Sequence, residues 1–446
     1  LILTEEEPMS DSNRVRLAVV GAGARARVYS RYLSEHPDEA TIEAVADPNT
    51  DRREAFARDY DVPPERQFQS HEDIVARPDI ADAALNCTMD RLHVPIGLPL
   101  VEAGFHMLME KPISPIEREV RDLADAVEAN ERIVMIGHVL RYAPFYMLVK
   151  RLLDEGRIGE IMALHTQENV AYWHMAVAFV TGKYNRRDTS SPMLMAKCCH
   201  DLDLVSWFMS GVPIRRVSSF GSLSHFRLEN APEGAGERCV VDCEIERNCP
   251  YSAGRLYLDN DYGWGGPWSE FTNPDELTLE QKRESLATDN PNGRCVWHSD
   301  NNVVDHQSVI VEFANGVTAT HDMWGNAARP RRKVHIMGTE GEIEGDLSDG
   351  VVIVRTFNPD AEGGYEQEEK DIREIDPNAV GGHGGGDLRL MGDFLARIRG
   401  DSTSRACTRL EDSLAGHLIC FAAERAMTED RVIRIGTESA DMAPIG

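Results

Sequence analysis

The chain has 446 residues, 42% of them hydrophobic and 27% charged, enough length and apolar content for two soluble domains with cores of their own. A formal net charge of −28 repels nucleic acid and anionic membrane surfaces, and no run approaches a membrane span. Nine cysteines in a chain this long fit a reducing cytoplasm better than a disulfide framework. Residues 1–12 lack the basic start and apolar core of a signal peptide and read as a loose leader.

The first ordered signal is the apolar run Val15–Val20, which enters Gly21, Ala22, Gly23, Ala24, Arg25 and Ala26 and then a helical stretch over 27–35. That is the strand, turn and helix context of a dinucleotide fingerprint. Its glycines permit a tight turn and close approach to a pyrophosphate, and the small Ala26 lets helix and strand pack. A second strand over 41–46 ends in Asp47, placed to accept hydrogen bonds from ribose hydroxyls and to repel a 2′-phosphate, which favours NAD. Arg52 and Arg53 behind it read as helix-surface charges. Residues 80–86 form a further strand ending in Asn86, Cys87 and Thr88, with His93 a few residues later and a helical run through Glu102. Residues 104–109 then form a buried strand closed by Glu110, Lys111 and Pro112, and another strand over 133–137 precedes Arg141 and Tyr142. This alternation predicts a parallel, doubly wound sheet with ligands at the carboxyl ends of its strands. An amine at such an edge can handle the proton of a hydroxyl whose carbon loses hydride.

These motifs, taken in order with a later His200, Asp201, Leu202, Asp203 and Trp207, resemble the Gfo/Idh/MocA family of glucose-fructose oxidoreductase, inositol dehydrogenase and relatives. The resemblance spans nearly all of residues 14–435. It implies an α/β Rossmann domain over 13–140 and an α+β domain over 141–446 with a large open, mainly antiparallel sheet. It also implies bound nicotinamide, sugar or cyclitol substrates, and frequent dimers or tetramers formed through the sheet. By the same resemblance Lys111 is the active-site lysine and His200 the second catalytic residue. Glu110, Arg141, Thr88 and His93 join the glycine turn and Asp47 at the cofactor. One departure stands out. Many dehydrogenases of the family place an aspartate four residues before that histidine, where this chain has Ala196 followed by Lys197. Two amines and an imidazole sharing a site would lower a lysine pKa by mutual repulsion. A plainer reading of 197–201 is a helix start with a capping aspartate and buried thiols.

In the second half, Tyr172, Trp173 and His174 offer aromatic faces for a sugar, and Lys183, Arg186 and Arg187 offer a fork for a carboxylate, sulfonate or phosphate. The alternative is a solvated loop paired with neighbouring carboxylates. Cys239, Cys243 and Cys249, with Cys295 further on, could hold a structural zinc, although the spacing is not a standard knuckle and buried free thiols are the default. These cysteines lie in an insertion over 230–302, rich in Gly, Pro, Asn and Asp, that reads as an excursion over the active-site face. Strands are expected again over 303–313, 317–322 and 333–338, and helices over 388–398 and 410–427. The glycine-rich loop around His383 precedes the first of these helices, with Asp387 as its cap and the imidazole as a general acid or base. The loop resembles the histidine-glycine-glycine motif of NAD-dependent glycosidases in the same superfamily.

With Lys197 and Tyr142 as further proton-transfer candidates, the sequence favours a redox-neutral glycoside hydrolase. It would transiently oxidise a sugar hydroxyl, eliminate the aglycone, add water and re-reduce the ketone, on an anionic glycoside such as a sulfoquinovoside. The alternatives are a net NAD-dependent sugar or cyclitol dehydrogenase, and a regulatory nucleotide-binding protein without turnover. A cytoplasmic homo-oligomer acting on a small molecule is expected in each enzymatic case.

Overall fold

The computed structural model describes residues 14–260, 262, 266–268, 271, 276–377, 379 and 382–436. The chain divides into two compact units, Leu1–Leu148 with Asp376–Leu414, and Val149–Ile375 with Ala415–Gly446.

In the first unit, short apolar and β-branched runs form β1 (Val15–Val20), β2 (Ala40–Ala46), β3 (Gln67–Phe68), β4 (Ala83–Asn86), β5 (His106–Met109) and β6 (Val134–Ile136). All pair in parallel, in the order β3-β2-β1-β4-β5-β6. Such strands are covered on both faces, so they are near-continuously buried, as β4 is at every position. The order reverses between β1 and β4, and the crevice outside their carboxyl ends is where such sheets bind ligands. Gly21 makes the turn there at φ +86°, and a Cβ on it would lie 2.9 Å from the Cys87 backbone, so the turn is pressed against the end of β4.

The segment Asp376–Leu414 was expected in the second domain and packs in the first unit instead. Ile136 N–H donates to Thr408 O at 2.9 Å, Thr408 Oγ1 donates to Ile136 O at 2.7 Å, and Met135 bridges Arg409 in antiparallel sense. The segment therefore runs along the edge left open by β6. The helix Gly386–Arg399 packs so closely on the turn Val139–Tyr142 that a Cβ at Gly386 would meet Val139 O at 2.1 Å. Contacts spanning about 250 residues leave no trace in local periodicity.

The second unit holds β7 (Ile161–Ala171), β8 (Ile214–Ser222), β9 (His306–Phe313), β10 (Thr318–Ala327), β11 (Arg331–Gly338), β12 (Gly341–Asp346), β13 (Val351–Phe357), β14 (Tyr365–Asp371) and β15 (Ile433–Arg434). They form one sheet in the order β14-β13-β12-β11-β7-β10-β9-β8-β15, antiparallel except where β7 meets β10. Alternate residues of β9 are buried and exposed, the signature of a sheet covered on one face. Among its described residues, the insertion between β8 and β9 contains short turns and one longer helix, Leu279–Ala287, opened by a capping box of Thr278 and Gln281.

Candidate active site

Asp47, at the end of β2, faces the glycine turn. Its carboxylate accepts Ala22 N–H at 2.9 Å through one oxygen and Asn49 N–H at 2.9 Å through the other. Arg53 is not the surface charge expected, because it is buried and donates to the Asp47 backbone oxygen at 2.7 Å. Nothing lies within 4 Å of a Cβ built on Gly23, and the helix Ala24–Ser30 that follows has no side-chain cap. The turn thus presents open space at Gly23, at the start of the helix, which fits the pyrophosphate of a dinucleotide. Thr88 Oγ1 donates to Asn86 Oδ1 at 2.7 Å at the end of β4. His93, expected at the cofactor, is buried with its ring nitrogens 3.0 Å from Thr88 O and 2.6 Å from Pro112 O. It clamps the loop after β4 to the loop after β5.

Lys111 stands just past β5, joined to Pro112 by a cis peptide bond. Its neighbour Glu110 anchors a chain of ionisable side chains. Arg25 Nε lies 2.6 Å from Glu110 Oε1, Arg25 Nη2 lies 2.6 Å from Asp387 Oδ1, and His383 Nδ1 lies 3.2 Å from Asp387 Oδ2. Tyr29 donates to Glu110 Oε1 at 2.5 Å, and Lys111 N–H donates to Oε2 at 3.2 Å. Burial pushes the Glu110 carboxyl up, but the charges of Arg25 and Lys111 and the Tyr29 bond hold it below its ordinary value. Burial likewise opposes ionisation of Asp387, yet the His383 hydrogen bond and Arg25 lower it to about 2. Arg25, expected at the cofactor, is engaged by these two carboxylates.

Asp387 is not the helix cap. Gly385 holds that position in the left-handed region, after His383 and Gly384 at φ +61° and +59°, and Asp387 lies in the first turn, bonded to His383 and Arg25. Arg141, also expected at the cofactor, is buried and donates to Asp412 O at 2.9 Å. His138 is buried beside it, and desolvation, with the charges of Arg141 and Lys111, pushes its pKa far down. Tyr142 lies in the core at 1% exposure, and burial raises its hydroxyl well above the ordinary range. Its hydroxyl therefore sits in the core of the first unit.

In the second unit the π-helical turn Leu194–Cys198 feeds the helix Cys199–Phe208, every residue of which is buried, His200 included. Lys197 Nζ lies 3.3 Å from Glu168 Oε1 on β7, while Arg332 Nε on β11 lies 2.7 Å from Glu168 Oε2 and 3.0 Å from Asp201 Oδ1. Burial lowers the Lys197 amine, and Glu168 opposes that shift. Asp201 is an ion-pair partner in the first helical turn and not the cap. His321 on β10 meets Thr166 Oγ1 at 2.9 Å, and burial lowers its pKa to about 4. Glu168 and Arg332 are absent from the sequence-based candidates. Their local signal is a charged side chain inside a polar run, His165 to Asn169 around Glu168 and Arg331 to Lys333 around Arg332.

The cationic fork does not form. Arg186 pairs with Asp188 at 2.9 Å and donates to Asp300 O, Arg187 pairs with Glu424 at 3.2 Å, and the exposed Lys183 lies over the Tyr184 ring. The arginine charge is neutralised by neighbouring carboxylates, the alternative stated for a surface loop. Trp173 stacks on Tyr262 with ring centroids 5.4 Å apart and neighbours His174, and Tyr172 meets Tyr251 edge-on, so these rings pack with the insertion.

A doubly wound sheet with a glycine turn and a strand-end carboxylate, followed by a large open sheet, defines a two-unit dinucleotide-dependent oxidoreductase. The chain belongs to the Gfo/Idh/MocA oxidoreductase family: the family's NAD-binding Rossmann fold matches residues 15–138 and its C-terminal alpha/beta domain matches 150–435. Inositol 2-dehydrogenase of Corynebacterium glutamicum is 27% identical over 242 residues, covering 53% of this chain and 65% of that protein. The chain thus spans about two thirds of that relative's length. The WlbA dehydrogenase of Bordetella pertussis, solved with NADH and UDP-GlcNAcA, shares the fold at a TM-score of 0.67 and 16% identity, over 96% of this chain and 99% of that one. Levoglucosan dehydrogenase, solved with NADH, matches at a TM-score of 0.68 and 18% identity, over 94% and 99%. These comparisons support the oxidoreductase alternative and lend nothing to the expectation of a glycoside hydrolase or a sulfoquinovoside. Among the described residues, no helix is long and apolar enough to cross a membrane.

Proposed function

We propose that the protein is a cytoplasmic NAD-dependent dehydrogenase that oxidises a secondary hydroxyl of a sugar or cyclitol. The observation that carries this reading is the anchoring of Glu110 beside Lys111. Arg25, Tyr29 and the Lys111 N–H all bond the Glu110 carboxylate, which fixes the backbone from which the Lys111 amine projects at the ligand-binding edge of the sheet. Lys111 is the residue that moves the hydroxyl proton, with His200 as its proposed catalytic partner and Glu110 as a positioning residue. Bound at the glycine turn and Asp47, NAD supplies the hydride acceptor.

His383 and Lys197 gave the hydrolase reading its surplus of proton-transfer groups. Their carboxylate partners, Asp387 and Glu168, account for them structurally and weaken that reading. Self-association is supported by Phe220, Ile310, Trp324 and Met337, which the strand register places on the exposed face of the large sheet.

The test is incubation with NAD and a panel of inositols, levoglucosan, methyl glycosides and nitrophenyl glycosides, including a sulfoquinovoside. Dehydrogenation yields one NADH per ketone formed, with every glycosidic bond intact. Aglycone release without NADH accumulation would overturn the reading in favour of the hydrolase. Tight NAD binding without turnover of any polyol would favour a regulatory protein.

A further inference from the structure

Three buried residues of the second unit gather where the start of one helix meets the large sheet, and the dehydrogenase reading uses none of them. Cys198 closes the π-helical turn Leu194–Cys198, Asp201 follows in the first turn of the helix Cys199–Phe208, and His321 sits on β10. Their exposures are 0%, 2% and 1%. We propose that Cys198, Asp201 and His321 bind one zinc ion, which clamps the turn before His200 to β10.

Helical spacing and strand alternation bring the three together. Positions 198 and 201 are three apart where one helical turn runs into the next, so they share a face. His321 is buried between the more exposed Thr320 and Asp322, so its ring points to the covered side of the sheet. Cys198 Sγ, one carboxylate oxygen of Asp201 and one ring nitrogen of His321 all lie within 4.8 Å of one another. Ligand atoms on a tetrahedral zinc stand about 3–4 Å apart, so small side-chain adjustments admit the ion. Cys239, Cys243, Cys249 and Cys295, the thiols that the sequence offered to a zinc, bring no three sulfurs within that distance and are free thiols.

Asp201 and His321 are each held through one atom and open at another. Among the described residues, neither Asp201 Oδ2 nor His321 Nε2 has a hydrogen-bond partner. Buried polar atoms left in that state are costly, and a metal ion satisfies both at once. Asp201 Oδ1 is taken by Arg332 Nε at 3.0 Å, and His321 Nδ1 lies 2.9 Å from Thr166 Oγ1, its partner across the β7–β10 ladder. With Nδ1–H donating to that hydroxyl, Nε2 presents its lone pair. A second hydrogen bond of this kind commonly orients a metal-binding imidazole. Zinc on Nε2 and burial both favour the neutral ring.

The nearby cations do not exclude the ion. Lys197 and Arg332 are matched by two carboxylates, Glu168 and Asp201. The Cys198 thiolate is then the additional negative charge that meets the dication once its proton is displaced. A thiolate and an imidazole beside one carboxylate suit zinc and not magnesium or calcium, and three such ligands leave the fourth corner of the tetrahedron to water.

The experiment measures metal in the full chain purified without chelator or added metal. About one zinc per chain is expected, and X-ray absorption at the zinc edge should find one sulfur at roughly 2.3 Å with nitrogen or oxygen in the remaining positions. That readout uses the unaltered sequence, so it stands even where a buried variant fails to fold. Zinc content should fall about tenfold or more in Cys198→Ser and in His321→Asn, and stay unchanged in Cys199→Ala, which removes the adjoining buried thiol. Metal-free protein, a zinc shell with no sulfur or with several, or zinc kept in Cys198→Ser would overturn the proposal. None of these readouts depends on turnover, so the dehydrogenase reading can fail without touching them.

Discussion

Each unit contains a four-member chain of ionisable side chains in contact, and the two differ in how completely water is excluded. In the first, His383, Asp387, Arg25 and Glu110 run from a half-buried imidazole to a buried carboxylate, and the Arg25 side chain keeps 29% of its exposure. In the second, Lys197, Glu168, Arg332 and Asp201 are nearly dry, with side-chain exposures of 17%, 5%, 12% and 3%. A partly wet chain can lose a member and let water replace it. A dry one strands a charge. The first arrangement suits the neighbourhood of a group that exchanges protons, and the second suits a rigid support for the helix that carries His200.

The largest expected effect is therefore Arg332→Met, which leaves Glu168 and Asp201 facing each other. It should destabilise the second unit by about 3–5 kcal/mol, whereas Arg25→Met in the wetter chain should cost about 1–2 kcal/mol. All six tryptophans lie within 149–375, so fluorescence during urea denaturation reads the second unit, and circular dichroism adds the first. Equal losses would erase the distinction.

Acid should separate the units as well. His321 is held neutral in the fold with its pKa lowered to about 4, while the unfolded chain binds that proton from about pH 6.5 downward. The second unit should lose up to about 3 kcal/mol as pH falls from roughly 6.5 to 4, and His321→Asn should flatten that slope. Asp387 has its folded pKa depressed to about 2, so its contribution is complete above an unfolded value of about 4 and disappears as pH falls through about 2. Asp387→Asn should cost about 1–2 kcal/mol at neutral pH and nothing near pH 2, followed by circular dichroism. The smallest effect belongs to Arg187→Ala, an exposed pair. It should change stability by no more than about 1 kcal/mol and alter KM for charged and neutral substrates alike. A selective loss for charged substrates would restore the anion fork.

Much of this was legible in the sequence because it is local. The glycine turn, Asp47 and Lys111 each terminate a strand whose apolar run is visible on its own, and β1 falls at the residues expected. What escaped depends on contacts between distant segments. The placement of 376–414 rests on Thr408 meeting Ile136, and the fate of Arg25 rests on Asp387 lying 362 positions away. Tyr142 was expected at the proton chemistry and Arg141 and His93 at the cofactor, yet all three are buried, with Arg141 bonded to Asp412 O and His93 set between Thr88 O and Pro112 O. Arg186 and Arg187 looked like a binding fork because the carboxylates that neutralise Arg187 and bind near Arg186, Glu424 and Asp300, are far along the chain.

The most direct measurement is Lys111→Met, read by NAD binding and by turnover of a polyol that the unaltered enzyme oxidises. The account predicts unchanged NAD affinity and turnover reduced about a hundred- to ten-thousandfold. Turnover within about threefold of the unaltered enzyme would contradict the assignment of Lys111 to the hydroxyl proton.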